Sequence, residues 1–180
     1  MSAEALFGPE PLEPRHDVSS FGCGVPALDD YLIDRALTDA RAGKSQTQVA
    51  CRGDSVVAYY SLAAVSVEPG AATGRAATGQ GRQPIPVIVL ARLAVGSTEQ
   101  GHGLGEQMLL QALARSAEAA SLIGVRAVLV HAKDGAARGF YEQYGFEPSP
   151  THPLHLLLLM KDIRKTLGEK WPSEIAQSLR

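Results

Sequence analysis

At 180 residues and 45% apolar composition, the chain has the length for one globular domain with its own core, and none to spare for a second catalytic domain. Its formal net charge of −2 supplies no global attraction to nucleic acid. Two cysteines outside any C-x-x-C pair argue against a disulfide framework, and the lack of a basic-then-apolar leader or a spanning apolar run points to a cytoplasmic protein with no membrane partner.

In chain order, residues 1–14 hold three prolines and three glutamates and read as an extended or loosely ordered lead-in. Pro26 opens a helix that carries Leu28, Tyr31, Leu32, Arg35 and Ala36 on one side and ends near Gly43. Residues 46–51 and 55–67 read as two strands joined by an Arg52-Gly53-Asp54 turn. Residues 68–84 are rich in Gly and small side chains, with Arg75, Arg82 and one acid, Glu68. That composition buries too little apolar area to fold alone, so a mobile loop is expected there, either functional or a tolerated surface insertion.

The stretch from Ile85 to Val95 is β-branched and bounded by Pro86 and Gly96, as a buried strand should be. From Leu104 the apolar residues take helical spacing through Met108, Leu109, Ala112 and Leu113, with a stop at Gly124. Between strand and helix lies Gln100-Gly101-His102-Gly103-Leu104-Gly105. Alternating glycines let the backbone approach a ligand, and the unpaired amides of a helix's first turn attract anions, so the loop suits a diphosphate. It is neither G-x-G-x-x-G nor a P-loop, because Glu106 rather than Lys follows Gly105.

Residues 125–131 form another buried strand, and Asp134 caps a short helix over 135–143 that stops at Gly145. Residues 154–160 read as the last strand, and 163–179 as a helix interrupted at Trp171-Pro172. Strands with crossover helices and an early hairpin predict an α/β fold with a mixed central sheet flanked by helices. The whole chain is then one domain, with residues 161–180 as a C-terminal helical extension.

Two segments carry a resemblance. Gln100-x-x-Gly103-x-Gly105 after a strand ending Leu93-Ala94-Val95, and Phe140-Tyr141-x-x-x-Gly145-Phe146, together resemble the GNAT acyltransferase family. The resemblance implies the GNAT fold and an N-acetyltransferase using acetyl-CoA as cosubstrate, with no metal. It places the cosubstrate at Leu93, Ala94, Val95 and residues Gln100, Gly101, His102, Gly103, Leu104 and Gly105. It makes Tyr141 the acid for the departing thiolate, a role its chemistry allows because a phenol of pKa ~10 can hydrogen-bond to, and partly protonate, a leaving thiolate whose acid has pKa ~8.5. Without that role, Tyr141 would simply pack beside Phe140.

Residues 21–32, 57–63, 85–95, 124–132, 140–150 and 153–160 are similar to the GNAT toxins of bacterial toxin–antitoxin systems. That likeness implies acetylation of the α-amine of aminoacyl-tRNA, a block on translation, a ribbon-helix-helix antitoxin as partner, and a homodimer. The alternatives are a protein N-terminal or small-amine acetyltransferase, and a non-catalytic coenzyme-A-binding module.

The two central strands contain no carboxylate, which favours an acceptor amine of low pKa or a water-relayed proton. Arg92, charged among Val89, Leu90, Leu93 and Val95, must face a partner, a cleft or solvent; it is the candidate substrate-binding residue, with an ordinary ion pair as the alternative. A basic patch from Arg35, Arg41, Lys44, Arg75, Arg82 and Arg92 is expected to meet tRNA. His131, His152 and His155 lack acidic or cysteine partners at ligand spacing and read as packing or surface residues rather than a metal site.

Overall fold

The turn at Gly53 has a positive φ of 58° and brings Arg52 opposite Ser55, so strands β2 (Gln46–Arg52) and β3 (Ser55–Val67) pair antiparallel as the sequence predicts. The computed structural model describes residues 4–170. Its strands lie in the order β1-β2-β3-β4-β5-β7-β6, with β1 Leu6–Pro11, β4 Ile85–Val95, β5 Ala127–His131, β6 Glu147–Pro148 and β7 His155–Leu159. Strands β4 and β5 pair parallel, in register from Val87↔Ala127 to Leu90↔Val130, whereas β5 and β7 pair antiparallel. The sheet is therefore mixed, as expected.

The chain divides into two compact units, residues 4–63 with 92–112, and residues 64–91 with 113–170. In the first, one helical run contains α1 (Pro26–Asp30), a π-helical segment (Tyr31–Arg35) and α2 (Ala36–Arg41). It packs Tyr31, Leu32 and Ala36 onto Phe21, Val49, Tyr59 and Ala94. The sequence shows helical periodicity here but not the widened π turn, because one extra residue in a turn leaves most of the apolar stripe in place.

The lead-in is extended but not loose. Strand β1 pairs with β2 through Leu6↔Arg52 and Phe7↔Cys51, then, after an irregularity, Glu10↔Val49. Prolines 9 and 11 fit there because β1 occupies the end of the strand order, where a missing N–H breaks no inner ladder.

In the second unit, residues 68–84 are not a structureless loop. They form a 3-10 turn (Pro69–Ala71) and α3 (Gly74–Ala77), whose N-terminus is capped when the Thr73 hydroxyl accepts from the Ala76 amide. Ala72 and Ala76 are buried. The Arg126 guanidinium donates to the carbonyls of Ala76, Arg75 and Thr78 at 3.1, 2.9 and 3.3 Å. Ser149 Oγ donates to Ala71 O. Small side chains that could not form a core of their own are thus held by donors elsewhere in the chain.

Helix α4 (Leu104–Ala120) ends slightly before the predicted stop, and α5 (Gly135–Glu142) begins where Asp134 Oδ1 accepts from Ala137 N at 2.8 Å. Helix α6 starts at Met160 and is described to Lys170; the predicted interruption at Trp171-Pro172 lies outside the described residues. No helix among the described residues is long and apolar enough to cross a membrane.

Candidate active site

In the first unit, the end of β4 is fixed before the glycine loop begins. Gly96 N donates to Val57 O and Ser97 N to Gly22 O, both at 2.8 Å. A Cβ on Gly96 would stand 3.0 Å from Val57 O, so this close backbone approach favours glycine. A 3-10 turn, Ser97–Glu99, follows, and Arg52 braces it by bonding both Glu99 oxygens, Nε–Oε1 2.6 Å and Nη2–Oε2 3.0 Å. The Arg52 guanidinium holds the Glu99 carboxyl below its ordinary pKa. Nothing in the local sequence signalled this brace, since its partners are far apart in the chain.

The Gln100 side chain anchors the loop. Its side-chain amide donates to Cys23 O at 2.9 Å and Val95 O at 2.8 Å, so it locks the loop in place and leaves only its backbone toward a ligand. Gly101 and Gly103 have φ of +80° and +82°, and a Cβ added to either would meet nothing within 4 Å. The backbone there is both left-handed and uncovered. The first helical bond runs from Gln107 N to Gly103 O at 3.2 Å, which leaves the amides of Leu104, Gly105 and Glu106 without an i−4 acceptor. Exposed glycine backbone and unpaired first-turn amides fit a pyrophosphate.

The face of β4 is also fixed. A Cβ on Gly105 would lie 3.7 Å from Val95 Cγ2, so Val95, and by alternation Leu93, face α4, whereas Arg92 and Ala94 face the opposite side. On that side the Arg92 guanidinium lies 3.4 Å above the centroid of the Tyr31 ring. Tyr31 is 4% exposed and its hydroxyl shares a 2.8 Å hydrogen bond with Ser45 Oγ. Its ring stacks with Tyr59 at 6.5 Å, and Tyr59 meets Phe21 edge-on at 5.5 Å. Burial pushes the Tyr59 phenol far up, with the nearby Arg92 charge opposing the shift. Among the described residues Arg92 forms no ion pair and no hydrogen bond, so the ordinary ion-pair reading of this residue does not hold. Tyr31 could not be found from sequence as the Arg92 partner, because it read only as one of five residues on a helical face.

In the second unit, α5 carries Tyr141, 9% exposed, edge-on to Phe140 at 5.2 Å and Phe146 at 5.5 Å. Burial pushes its pKa up to about 12, so at neutral pH it is a proton donor and not a base. Tyr144 and Phe146 are buried, as expected, and Gly145, φ +89°, closes the helix, where an added Cβ would stand 3.5 Å from Leu158 Cδ1. The motif is therefore both a packing unit and the holder of one hydroxyl that keeps its proton at neutral pH.

The three histidines come together at the ends of β5 and β7. His131 and His155 stack at 4.0 Å, and His152 lies 4.5 Å from His155. Burial first, then the neighbouring imidazoles, lowers the pKa of His131. A second group, Glu10, His16 and Cys51, brings three possible metal-ligand atoms within 4.8 Å of one another. Yet His16 Nδ1 accepts from Glu13 N at 2.9 Å, which puts its proton on Nε2, 2.7 Å from Glu10 Oε1. A metal on Nε2 would need the other tautomer, so the contacts describe a hydrogen-bonded support for β1.

The basic patch is smaller than expected. Arg75 is paired with Glu147 and Asp162, each at 2.8 Å, which removes it from a surface meant for phosphates.

The family model described as acetyltransferase (GNAT) domain matches residues 44–148. The tRNA-acetylating toxin of Mycobacterium tuberculosis (strain ATCC 25618 / H37Rv) is 48% identical over 161 residues, which are 89% of this chain and 96% of that protein. Two solved structures share the fold: AtaT complexed with acetyl-methionyl-tRNAfMet (TM-score 0.81, 24% identity, 89% of this chain and 97% of that one) and AtaTR bound with AcCoA (TM-score 0.75, 24% identity, 92% and 98%).

Proposed function

Since the chain belongs to the GNAT acetyltransferase family, we propose that it is a toxin of that family, transferring acetyl from acetyl-CoA to the α-amine of aminoacyl-tRNA and so blocking translation. The observation that carries this reading is the 48% identity, over nearly the full length of both chains, to a tRNA-acetylating toxin. The uncovered glycine backbone at Gly101 and Gly103 supports it by supplying a cradle of the required kind.

Acetyl-CoA supplies an activated acetyl thioester. The amides of Gly101, His102, Gly103, Leu104 and Gly105 hold its pyrophosphate, and the backbone of Leu93, Ala94 and Val95 aligns its arm along β4. The neutral acceptor amine forms a bond to the acetyl carbon as the carbon–sulfur bond breaks; Tyr141 gives its phenolic proton to the leaving sulfur, the acetylated nitrogen loses its extra proton to water, and the Tyr141 phenolate takes a proton back from water. A buried phenol held in its protonated form suits that task. Arg92 stands on the face of β4 opposite α4 and meets the acceptor end of the tRNA.

We also propose a ribbon-helix-helix antitoxin as the partner that restrains the enzyme, a homodimer as its working form, and the cytoplasm as its place of action. Incubation with labelled acetyl-CoA and charged tRNA, beside uncharged tRNA and a peptide mixture, tests the reading. Label on charged tRNA alone is expected. Label on peptides alone would favour the N-terminal or small-amine acetyltransferase.

A further inference from the structure

The acceptor amine must be neutral to attack, yet β3 and β4 contain no acidic residue. What the first unit offers beside the acyl-binding stretch is a positive charge. Arg92 directly precedes Leu93, and its guanidinium carbon lies 3.4 Å over the centroid of the Tyr31 ring, which itself stacks on Tyr59. Two features set this pair apart from a structural salt bridge. The guanidinium has no ion-pair or hydrogen-bond partner among the described residues, and its platform is the first residue of a π-helical segment, a distortion that recurs at functional sites.

We propose that Arg92 activates the acceptor electrostatically: its fixed charge, oriented by Tyr31, disfavours the ammonium form of the aminoacyl amine and so raises the fraction ready to attack. This deepens the reading above and rests on it. No side-chain base is consumed: the ammonium loses one proton to water before the carbon–nitrogen bond forms, and the acetylated nitrogen loses a second to water as the amide forms. A fixed like charge lowers the pKa of a nearby ammonium, the device by which an amine is activated beside a second cation. An aminoacyl ester starts below the ~7.7 to 8.0 of an ordinary α-amine, so a modest further shift makes it largely neutral at pH 7.

The elements packed against Arg92 carry both neutral and charged groups. Tyr31 and Tyr59 stack beneath it, and burial raises the pKa of the Tyr59 phenol and of the neighbouring Cys23 thiol, keeping both uncharged. Asp29, on α1, is turned to the Cys23 backbone amide at 2.9 Å. Asp30, Asp34 and Arg35 sit on the same helical run, with Arg35 3.9 Å from Asp39. Tyr31 is a positioning residue in this scheme, since it acts only through the guanidinium.

The test is the pH profile of kcat/KM for charged tRNA between pH 6 and 8.5, for the full chain and for Arg92→Gln, Arg92→Lys and Tyr31→Leu, with acetyl-CoA affinity measured by calorimetry to show that each variant is folded. Arg92→Gln should move the acidic limb upward by about one pH unit and regain most of the lost rate at the alkaline end. Arg92→Lys should keep the limb near its original position, and Tyr31→Leu should fall between. A defect in Arg92→Gln that is the same at every pH would overturn the proposal and leave Arg92 a simple binding residue. If the unsubstituted protein does not label charged tRNA at all, the functional reading itself falls, and the proposal with it.

Discussion

A side chain's chemistry here depends on what it stacks against. Tyr141 and Tyr59 are both buried tyrosines with raised pKa values, but Tyr59 spends its hydroxyl on Leu28 O at 2.6 Å, whereas the Tyr141 hydroxyl has no hydrogen-bond partner among the described residues. Of the two, only Tyr141 has a proton not already committed to a protein acceptor. Tyr141→Phe should lower kcat about 100-fold or more while leaving acetyl-CoA affinity unchanged, as read by single-turnover transfer and calorimetry. The linkage has a sign. An unfolded tyrosine loses its proton near 10 and the folded one near 12, so the native state binds the extra proton in that window and loses stability as pH rises from about 10 to about 12. Below pH 9 the phenol stays protonated, and no alkaline fall in rate should trace to it. The Tyr141 position was readable in the sequence because its motif is local. The Tyr31 platform was not, because a ring beneath a guanidinium on a different element leaves no spacing to read.

Among the elements, those that specify themselves locally appeared where the sequence put them. The β2–β3 hairpin has its turn, α5 its Asp134 cap and Gly145 stop, and β5 its apolar run. Elements held from a distance did not. Residues 68–84 lack the apolar area to order themselves, and composition is silent about Arg126, which binds three of their carbonyls. Strand β1 likewise owes its order to β2 and to the His16–Glu10 contact. Arg126→Ala should therefore cost about 2 kcal/mol, the range for hydrogen bonds to a charged donor, and should speed hydrogen exchange selectively at residues 74–80. A uniform loss of protection across the chain would mean that Arg126 supports the fold generally and not this segment.

For the molecule as a whole, charge limits how a large polyanion can bind. With a net charge of −2 and Arg75 neutralised by two carboxylates, an RNA must be met by local cations, and of the predicted patch Arg41, Lys44 and Arg92 remain in the first unit beside Arg35, which is paired with Asp39. Family and fold were readable because the glycine loop and the tyrosine motif each encode a backbone requirement; the acceptor was implied by resemblance only. The central claim is the chemical identity of that acceptor. The most direct measurement is mass spectrometry of the 3′-terminal aminoacyl-adenosine released by nuclease from charged tRNA after reaction with acetyl-CoA. The account predicts one added acetyl group on the aminoacyl nitrogen; an unmodified aminoacyl end, with acetyl found on a base, a peptide or nowhere, would contradict it.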